Sequence, residues 1–282
     1  MEKLIITVAL TGNVPTQGMN AALPVTAEEI ADDIRRCSLA GASLFHIHAR
    51  DDNGRPTLDP AAFKRIVRAV KNTSPEVILQ LSTGGRAGKG REERAAPVRL
   101  MPEMASFTTG SSNMPGMVYE NAPDFLDFLS GVFQETGVRP EIEVFEAGMV
   151  SNALYLLDKG QLSPPLHFDF VLGVPGAMPA TVKHLLFLSE LIPQGSTWSV
   201  AGIGRAEIPM AAAAIVMGGH VRVGLEDNLR LPDGSPATNS TLVDTVVGIA
   251  RSVGREVATP EEARTILSLD PLHKDRILSQ LD

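Results

Sequence analysis

The segment Phe45-His46-Ile47-His48-Ala49-Arg50 sets two histidines two residues apart inside a short apolar run. An extended strand alternates its side chains, so His46 and His48 share one face while Phe45 and Ile47 share the other. Two adjacent imidazoles at a strand end make half of a metal site. The competing explanation is a pair of core histidines satisfied by hydrogen bonds. A third ligand brought to the same place would decide between them.

The run His220-Val221-Arg222-Val223-Gly224-Leu225-Glu226-Asp227-Asn228 offers one. Glu226 has the parity of His220 and Arg222, and we read it as the third ligand. Two histidines and a carboxylate with open positions suit Zn2+, or a similar divalent ion used as a Lewis acid. Arg222 and Asp227 read either as a structural salt bridge or as a base oriented by a guanidinium beside a metal-held substrate. Glu143 is a further inward-facing candidate, whereas Glu146 fits a charge at a helix N-terminus.

Three glycine-rich stretches follow or precede strands: residues 82–90 (Ser82-Thr83-Gly84-Gly85-Arg86-Ala87-Gly88-Lys89-Gly90), Gly202-Ile203-Gly204-Arg205 and Gly218-Gly219. Such loops let backbone N–H groups approach an anion, or simply satisfy turn geometry. The phosphate-loop spacing is absent. Together at one face of a fold they suggest an anionic substrate or a cofactor with phosphates.

These residues need a scaffold. Short Val-, Ile- and Phe-rich runs at 4–10, 44–49, 77–82, 105–109, 141–145, 168–172, 197–201 and 221–225 predict eight strands. Helical spacing predicts helices over 27–39, 59–71, 122–136, 150–159, 180–191, 208–217 and 240–253, with 92–100 filling the slot after the third strand. Thr26 followed by Glu29 reads as a capping box. Strict alternation of strand and helix means a parallel sheet, either a closed (β/α)8 barrel or an open doubly wound sheet. Eight units in a 282-residue chain favour the barrel, which typically takes about 250 residues. The expectation is one barrel domain over 1–282, with an extra C-terminal helix around 260–268.

A barrel demands that functional groups share the inward parity. The inward sets are Thr7, Ala9 and Thr11; Leu44, His46 and His48; Ile78, Gln80 and Ser82; Ser106 and Thr108; Glu141 and Glu143; and His220, Arg222, Gly224 and Glu226. Branched apolar residues normally fill a barrel. Polar groups on one parity in strand after strand are costly unless they pair or act. His167, His184, His220 and His273 have no partner spacing and read as structural.

Composition narrows the field further. With 33 acidic and 25 basic residues the net charge is −8, against non-specific nucleic-acid binding. The lone Cys37 excludes an intramolecular disulfide, suits a reducing compartment and reads as a small apolar helix residue. No apolar run approaches the roughly 18–20 residues of a membrane span, and no targeting segment is visible. The expectation is a cytoplasmic protein.

Several motifs resemble one family. They are Thr11-Gly12, His46-Ile47-His48-Ala49-Arg50-Asp51, Ser82-Thr83-Gly84-Gly85 and Pro102-Glu103-Met104-Ala105, followed by the run from Pro140 to Met149, Val171-Leu172-Gly173-Val174-Pro175-Gly176, Ala201-Gly202-Ile203-Gly204-Arg205 and Val223-Gly224-Leu225-Glu226-Asp227-Asn228. In this order, between about residues 3 and 270, they are similar to the β-keto acid cleavage enzymes, typified by 3-keto-5-aminohexanoate cleavage enzyme. The resemblance implies a (β/α)8 barrel that binds zinc through His46, His48 and Glu226 and converts a β-keto acid and acetyl-CoA into acetoacetate and a new acyl-CoA. It implies zinc at the keto oxygen, Asp227 oriented by Arg222 as the base for the α-proton, and Ser82, Gly85, Ser106 and Thr108 around the keto-acid end, with Glu143 completing the polar wall. A homo-oligomer such as a tetramer is also implied.

The chain departs from the family pattern in its first loop. Members that act on the amino substrate resemble Thr-Gly-Ala-Glu there, whereas this chain reads Thr11-Gly12-Asn13-Val14-Pro15-Thr16. With Val14 in place of the carboxylate and Asn13 beside it, an ammonium would lose its ion pair, so a neutral or apolar substrate tail is expected. Ser106 replaces a threonine and keeps the hydroxyl. The other readings of the same residues are a metal-dependent aldolase or hydrolase without CoA, and a non-catalytic metabolite-binding barrel.

Overall fold

The computed structural model describes residues 1–85 and 90–281. Eight strands alternate with helices: β1 (Ile6–Ala9), β2 (Leu44–Ile47), β3 (Ile78–Leu81), β4 (Met104–Thr108), β5 (Arg139–Val144), β6 (His167–Leu172), β7 (Thr197–Gly202) and β8 (His220–Val223). Every neighbouring pair is parallel, and β8 returns to β1, closing the barrel. The helices are α1 (Ala27–Ala40), α2 (Pro60–Thr73), α3 (Arg91–Arg99), α4 (Pro123–Thr136), α5 (Ala147–Asp158), α6 (Val182–Leu191), α7 (Glu207–Met217), α8 (Asn239–Ser252) and α9 (Pro260–Ile266). The expected (β/α)8 architecture is the observed one.

Local signals explain the element ends. Thr26 Oγ1 accepts from Glu29 N at 3.1 Å and Glu29 Oε2 accepts from Thr26 N at 3.0 Å, the reciprocal box that starts α1. Asp59 starts α2 by accepting from Ala61 N at 3.0 Å, with Pro60 in the first turn where its missing N–H costs nothing.

Alternation divides the strands as expected. Ile6, Val8, Phe45, Ile47, Leu79 and Phe107 face the surrounding helices in the main apolar core. Inward, the barrel is layered. Ile5, Leu44, Ile78 and Met104 form an apolar floor, sealed by Ala263 and Leu267 of the C-terminal segment. Burying each large aliphatic side chain contributes about 1.5–3 kcal/mol. The seal is tied by a buried fork, with Arg264 Nε and Nη2 donating to Glu103 at 2.6 and 2.9 Å. Above the floor the interior turns polar, and strand register sets the order of its groups. Ala9 lies beside His46, His46 beside Gln80, Thr108 beside Glu143, Glu143 beside Asp169 and Ala201 beside Arg222.

Two short hairpins lie outside the barrel, pairing Ala49–Arg50 with Pro56–Thr57 and Ser112–Met114 with Met117–Tyr119. Neither was legible as strand, since two- and three-residue segments carry no periodicity. Among the described residues no helix is long and apolar enough to cross a membrane.

Candidate functional site

His46 and His48 point inward from β2 and its C-terminal extension, as alternation requires. Their Nε2 atoms lie 3.2 Å apart, and Glu226 approaches with Oε1 3.3 Å from His48 Nε2 and Oε2 3.9 Å from His46 Nε2. Tetrahedral zinc with Zn–N bonds of 2.0–2.1 Å would hold two nitrogens about 3.3 Å apart. The tautomer fits as well. His46 Nδ1 donates to Gln80 Oε1 at 2.5 Å, leaving the Nε2 lone pair free. Glu226 Oε2 is buried without a hydrogen-bond partner among the described residues, a costly state that a cation between the three side chains would relieve. The donor set therefore fits a divalent ion.

Electrostatics point the same way. Burial, reinforced by the nearby Arg222 guanidinium, lowers the His46 pKa and keeps the ring neutral. Burial works against the Glu226 carboxylate, but the facing His48 and Arg222 outweigh it and hold the group well below its ordinary value. His46, Glu141 and Glu143 form a second grouping of ligand-type atoms. Glu143 in this grouping is already bonded by Thr108 Oγ1 at 2.7 Å and Arg222 Nη1 at 3.3 Å, while Glu141 faces His167 Nε2 at 3.2 Å as an ion pair without a hydrogen bond to either of its oxygens among the described residues.

Arg222 is the hub of the polar layer. Its Nε donates to Asp227 Oδ2 at 2.9 Å and its Nη2 to Asp227 Oδ1 at 3.2 Å and Glu226 Oε1 at 2.9 Å. Asp169 Oδ2 lies 3.5 Å from Nη1. Burial alone would discourage the charge, yet Asp227, Glu226, Asp169 and Glu143 hold Arg222 firmly protonated. Asp227 goes the other way. Burial pushes its carboxyl up to about 6, with Arg222 opposing. Burial, with Glu141 adding to it, also raises Asp169 well above the ordinary range.

These groups floor a cavity of about 390 Å³ at the C-terminal ends of the strands. His48, Ser82, Glu143, Arg222, Glu226 and Asp227 line its polar side. Phe145, Val171, Val174, Pro175 and Ile203 supply an apolar wall, and Met114 and Pro115 close it from the second hairpin. Asn13 and Val14 stand at the rim, Val14 with 54% of its surface exposed. Arg50 braces this rim by donating to Gly12 O at 2.7 Å and Pro15 O at 2.8 Å. Gly12 has φ +63°, and a Cβ there would sit 2.5 Å from Glu226 Cγ, so glycine is needed for both reasons.

Three expected substrate contacts lie behind the cavity lining. Ser106 is fully buried and accepts from Thr83 N at 3.1 Å, shaping the loop after β3. Thr108 spends its hydroxyl on Glu143. Gly85 makes room for Arg94, whose Cδ would lie 2.6 Å from a Cβ at that position. Arg86, Ala87, Gly88 and Lys89 of the same glycine-rich stretch lie outside the described residues.

Sequence reasoning passed over Tyr119, which lines the cavity with its hydroxyl 3.3 Å from Thr108 Oγ1 and 3.4 Å from Arg94 Nη2. It also passed over Asp169, although the alternation that selects Glu143 reaches Asp169 one strand further on.

Residues 3–269 match the family model described as beta-keto acid cleavage enzyme. The chain belongs to the β-keto acid cleavage enzyme family. Within this family it is 48% identical to the 3-keto-5-aminohexanoate cleavage enzyme of Fusobacterium nucleatum subsp. nucleatum, over 95% of this chain and 99% of that one. It is 40% identical to the 3-oxoadipate:acetyl-CoA acetyltransferase of Cupriavidus necator, over 96% of each chain. Among solved structures it is similar to apo ObcA, with a TM-score of 0.78 and 26% identity, covering 88% of this chain and 66% of ObcA. The family's named relatives are enzymes, in keeping with the expected acyl-transferring class, and they differ in substrate.

Proposed function

We propose that this protein is a divalent-metal-dependent enzyme that converts a β-keto acid and acetyl-CoA into acetoacetate and a new acyl-CoA. The observation that carries the reading is the convergence of His48, Glu226, Arg222 and Asp227 on one cavity floor, with His46 3.2 Å behind His48. Family membership supports it, since the relative from Cupriavidus necator is named for transfer involving a keto acid and acetyl-CoA. The donor set favours zinc over magnesium or calcium, which prefer all-oxygen ligands.

Bound by His46, His48 and Glu226, the ion would supply Lewis acidity, stabilising negative charge as it develops on the substrate's keto oxygen. The chain's own residues handle the proton. Asp227 Oδ, held by the Arg222 fork, takes a proton from the carbon between the keto and carboxylate groups. The resulting carbanion forms a bond to the acetyl carbonyl carbon and expels CoA thiolate. The thiolate then adds to the original keto carbon, the bond between that carbon and the former carbanion breaks, and the electron pair takes a proton back from Asp227. The products are acyl-CoA and acetoacetate, so atoms and charge balance. Arg222 stays paired and holds Asp227 at a fixed angle, while Ser82 and Glu143 face the acid from the polar side.

The apolar wall and the lack of a carboxylate at Asn13 and Val14 favour a substrate with a neutral or apolar tail. The test is a panel of β-keto acids, each assayed for acetoacetate with and without acetyl-CoA, together with metal analysis of wild type and His46→Ala. The expected outcome is acetyl-CoA-dependent acetoacetate from apolar-tailed acids and loss of bound zinc in the variant. Turnover without acetyl-CoA would favour the aldolase or hydrolase reading. Preference for an amino-substituted acid would refute the tail assignment, and unchanged metal content in the variant would refute the ligand set.

A further inference from the structure

A second and larger cavity, about 850 Å³, adjoins the first. The two share Val14, Pro15, Ile203, Glu226 and Asp227 as a common wall, so the second opens onto the same reacting groups. One side is the start of α7, with Ile208, Pro209 and Ala212; the other is the loop after β8, with Leu229, Leu231 and Pro232. A small keto acid is accommodated by the first cavity alone. The lining of the second is chiefly apolar and includes two cations.

Those cations are Arg205 and Arg230, both exposed. Among the described residues neither Arg205 nor Arg230 forms an ion pair with a carboxylate, and Arg230 donates through Nη1 to a backbone carbonyl, Gly234 O, at 2.9 Å. On a chain of net charge −8, two arginines lining one cavity without acidic partners among the described residues form a local exception. Unneutralised guanidinium groups suit phosphate oxygens, and a mixed apolar groove suits an acyl-carrying arm.

We propose that this cavity receives the pantetheine arm of acetyl-CoA, delivering the thioester to Asp227, and that Arg205 and Arg230 bind the phosphates of CoA. The proposal rests on the acetyl-CoA reading above and adds the place and the contacts. It is tested with two thioesters, acetyl-CoA and acetyl-pantetheine, which lacks the phosphates. In Arg205→Ala/Arg230→Ala the KM for acetyl-CoA should rise about tenfold, as expected for two charge-assisted contacts of modest strength, while the KM values for acetyl-pantetheine and the keto acid stay put. In Ala212→Trp, which fills the groove, the KM for both thioesters should rise while the keto-acid KM and the metal content hold. An unchanged acetyl-CoA KM in both variants overturns the site. An equal loss with both thioesters in the arginine variant overturns the phosphate assignment. No acetyl-CoA-dependent turnover by the wild type would instead refute the functional reading on which the proposal stands.

Discussion

Arg222 grips Asp227 with a two-pronged fork, Nε to Oδ2 at 2.9 Å and Nη2 to Oδ1 at 3.2 Å, five residues apart across the turn at Gly224. Such a pair fixes the plane of the carboxylate as well as its charge. If Asp227 moves the α-proton, Asp227→Asn keeps the shape and removes the base. The expected result is a drop in kcat of about 10²–10⁴ with bound metal retained, read by steady-state kinetics alongside metal analysis. Near-normal kcat would assign the pair to structure alone.

Asp227 should also set the acid limb of the rate profile. Its carboxyl is raised from the usual 3.8 to about 6, chiefly by burial. A protonated carboxyl cannot accept the substrate proton, so activity is present above this value and lost below it. A bound cation beside it favours the carboxylate and moves the limb to lower pH. The prediction is a kcat/KM that falls about tenfold per pH unit below a midpoint at about 6 or lower. An acid limb above pH 7 would point to a different group.

Gly12 is a second lever on the same site. With φ +63° and Glu226 Cγ at 2.5 Å from a hypothetical Cβ, Gly12→Ala must displace either the loop or the carboxylate. Affinity for a divalent ion at this site should fall about 10–100-fold, the scale seen when groups supporting a ligand are lost. Competition with a chelator would measure it, and unchanged affinity would show that the loop yields instead.

At the opposite end of the barrel, Glu103 and Arg264 tie the C-terminal segment to the floor at 2.6 and 2.9 Å. Removing one partner strands a buried charge, so Glu103→Ala should lower stability by about 3–5 kcal/mol. Glu103→Leu with Arg264→Met should regain much of that, since an apolar pair of similar volume often replaces a buried ion pair at little loss. Urea unfolding of both variants provides the comparison. A double variant as unstable as the single one would mean that the fork itself, rather than the stranded charge, carries the energy.

Period-two alternation made the barrel and its polar layer readable from the chain. Once eight strands are placed, His46, Gln80, Glu143 and Arg222 must face one interior, and register brings them together. Glu226 lies beyond the end of β8, where alternation no longer strictly holds, and it is set beside the histidines after the turn at Gly224, with its N–H donating to Ala9 O of β1 at 3.1 Å. Ser106 and Thr108 have the inward parity but serve neighbouring groups, since parity names a face and says nothing about which layer meets the cavity. Tyr119 comes from a three-residue strand whose place depends on Arg94 bonding Thr83 O, Glu120 O and Asn121 Oδ1. Such a tertiary clasp leaves no periodic trace in sequence.

Ring closure has a temporal meaning. β1 is bordered by β2 and β8, and Leu4 is bridged to Val257. The two histidines are therefore synthesised long before the carboxylate that faces them, and the enclosure around them is finished only when the last strand and the floor segment arrive. Contacts this distant in sequence form slowly. An ion seated among His46, His48 and Glu226 would clasp the second strand to the loop after the eighth, so metal capture would coincide with locking the ring.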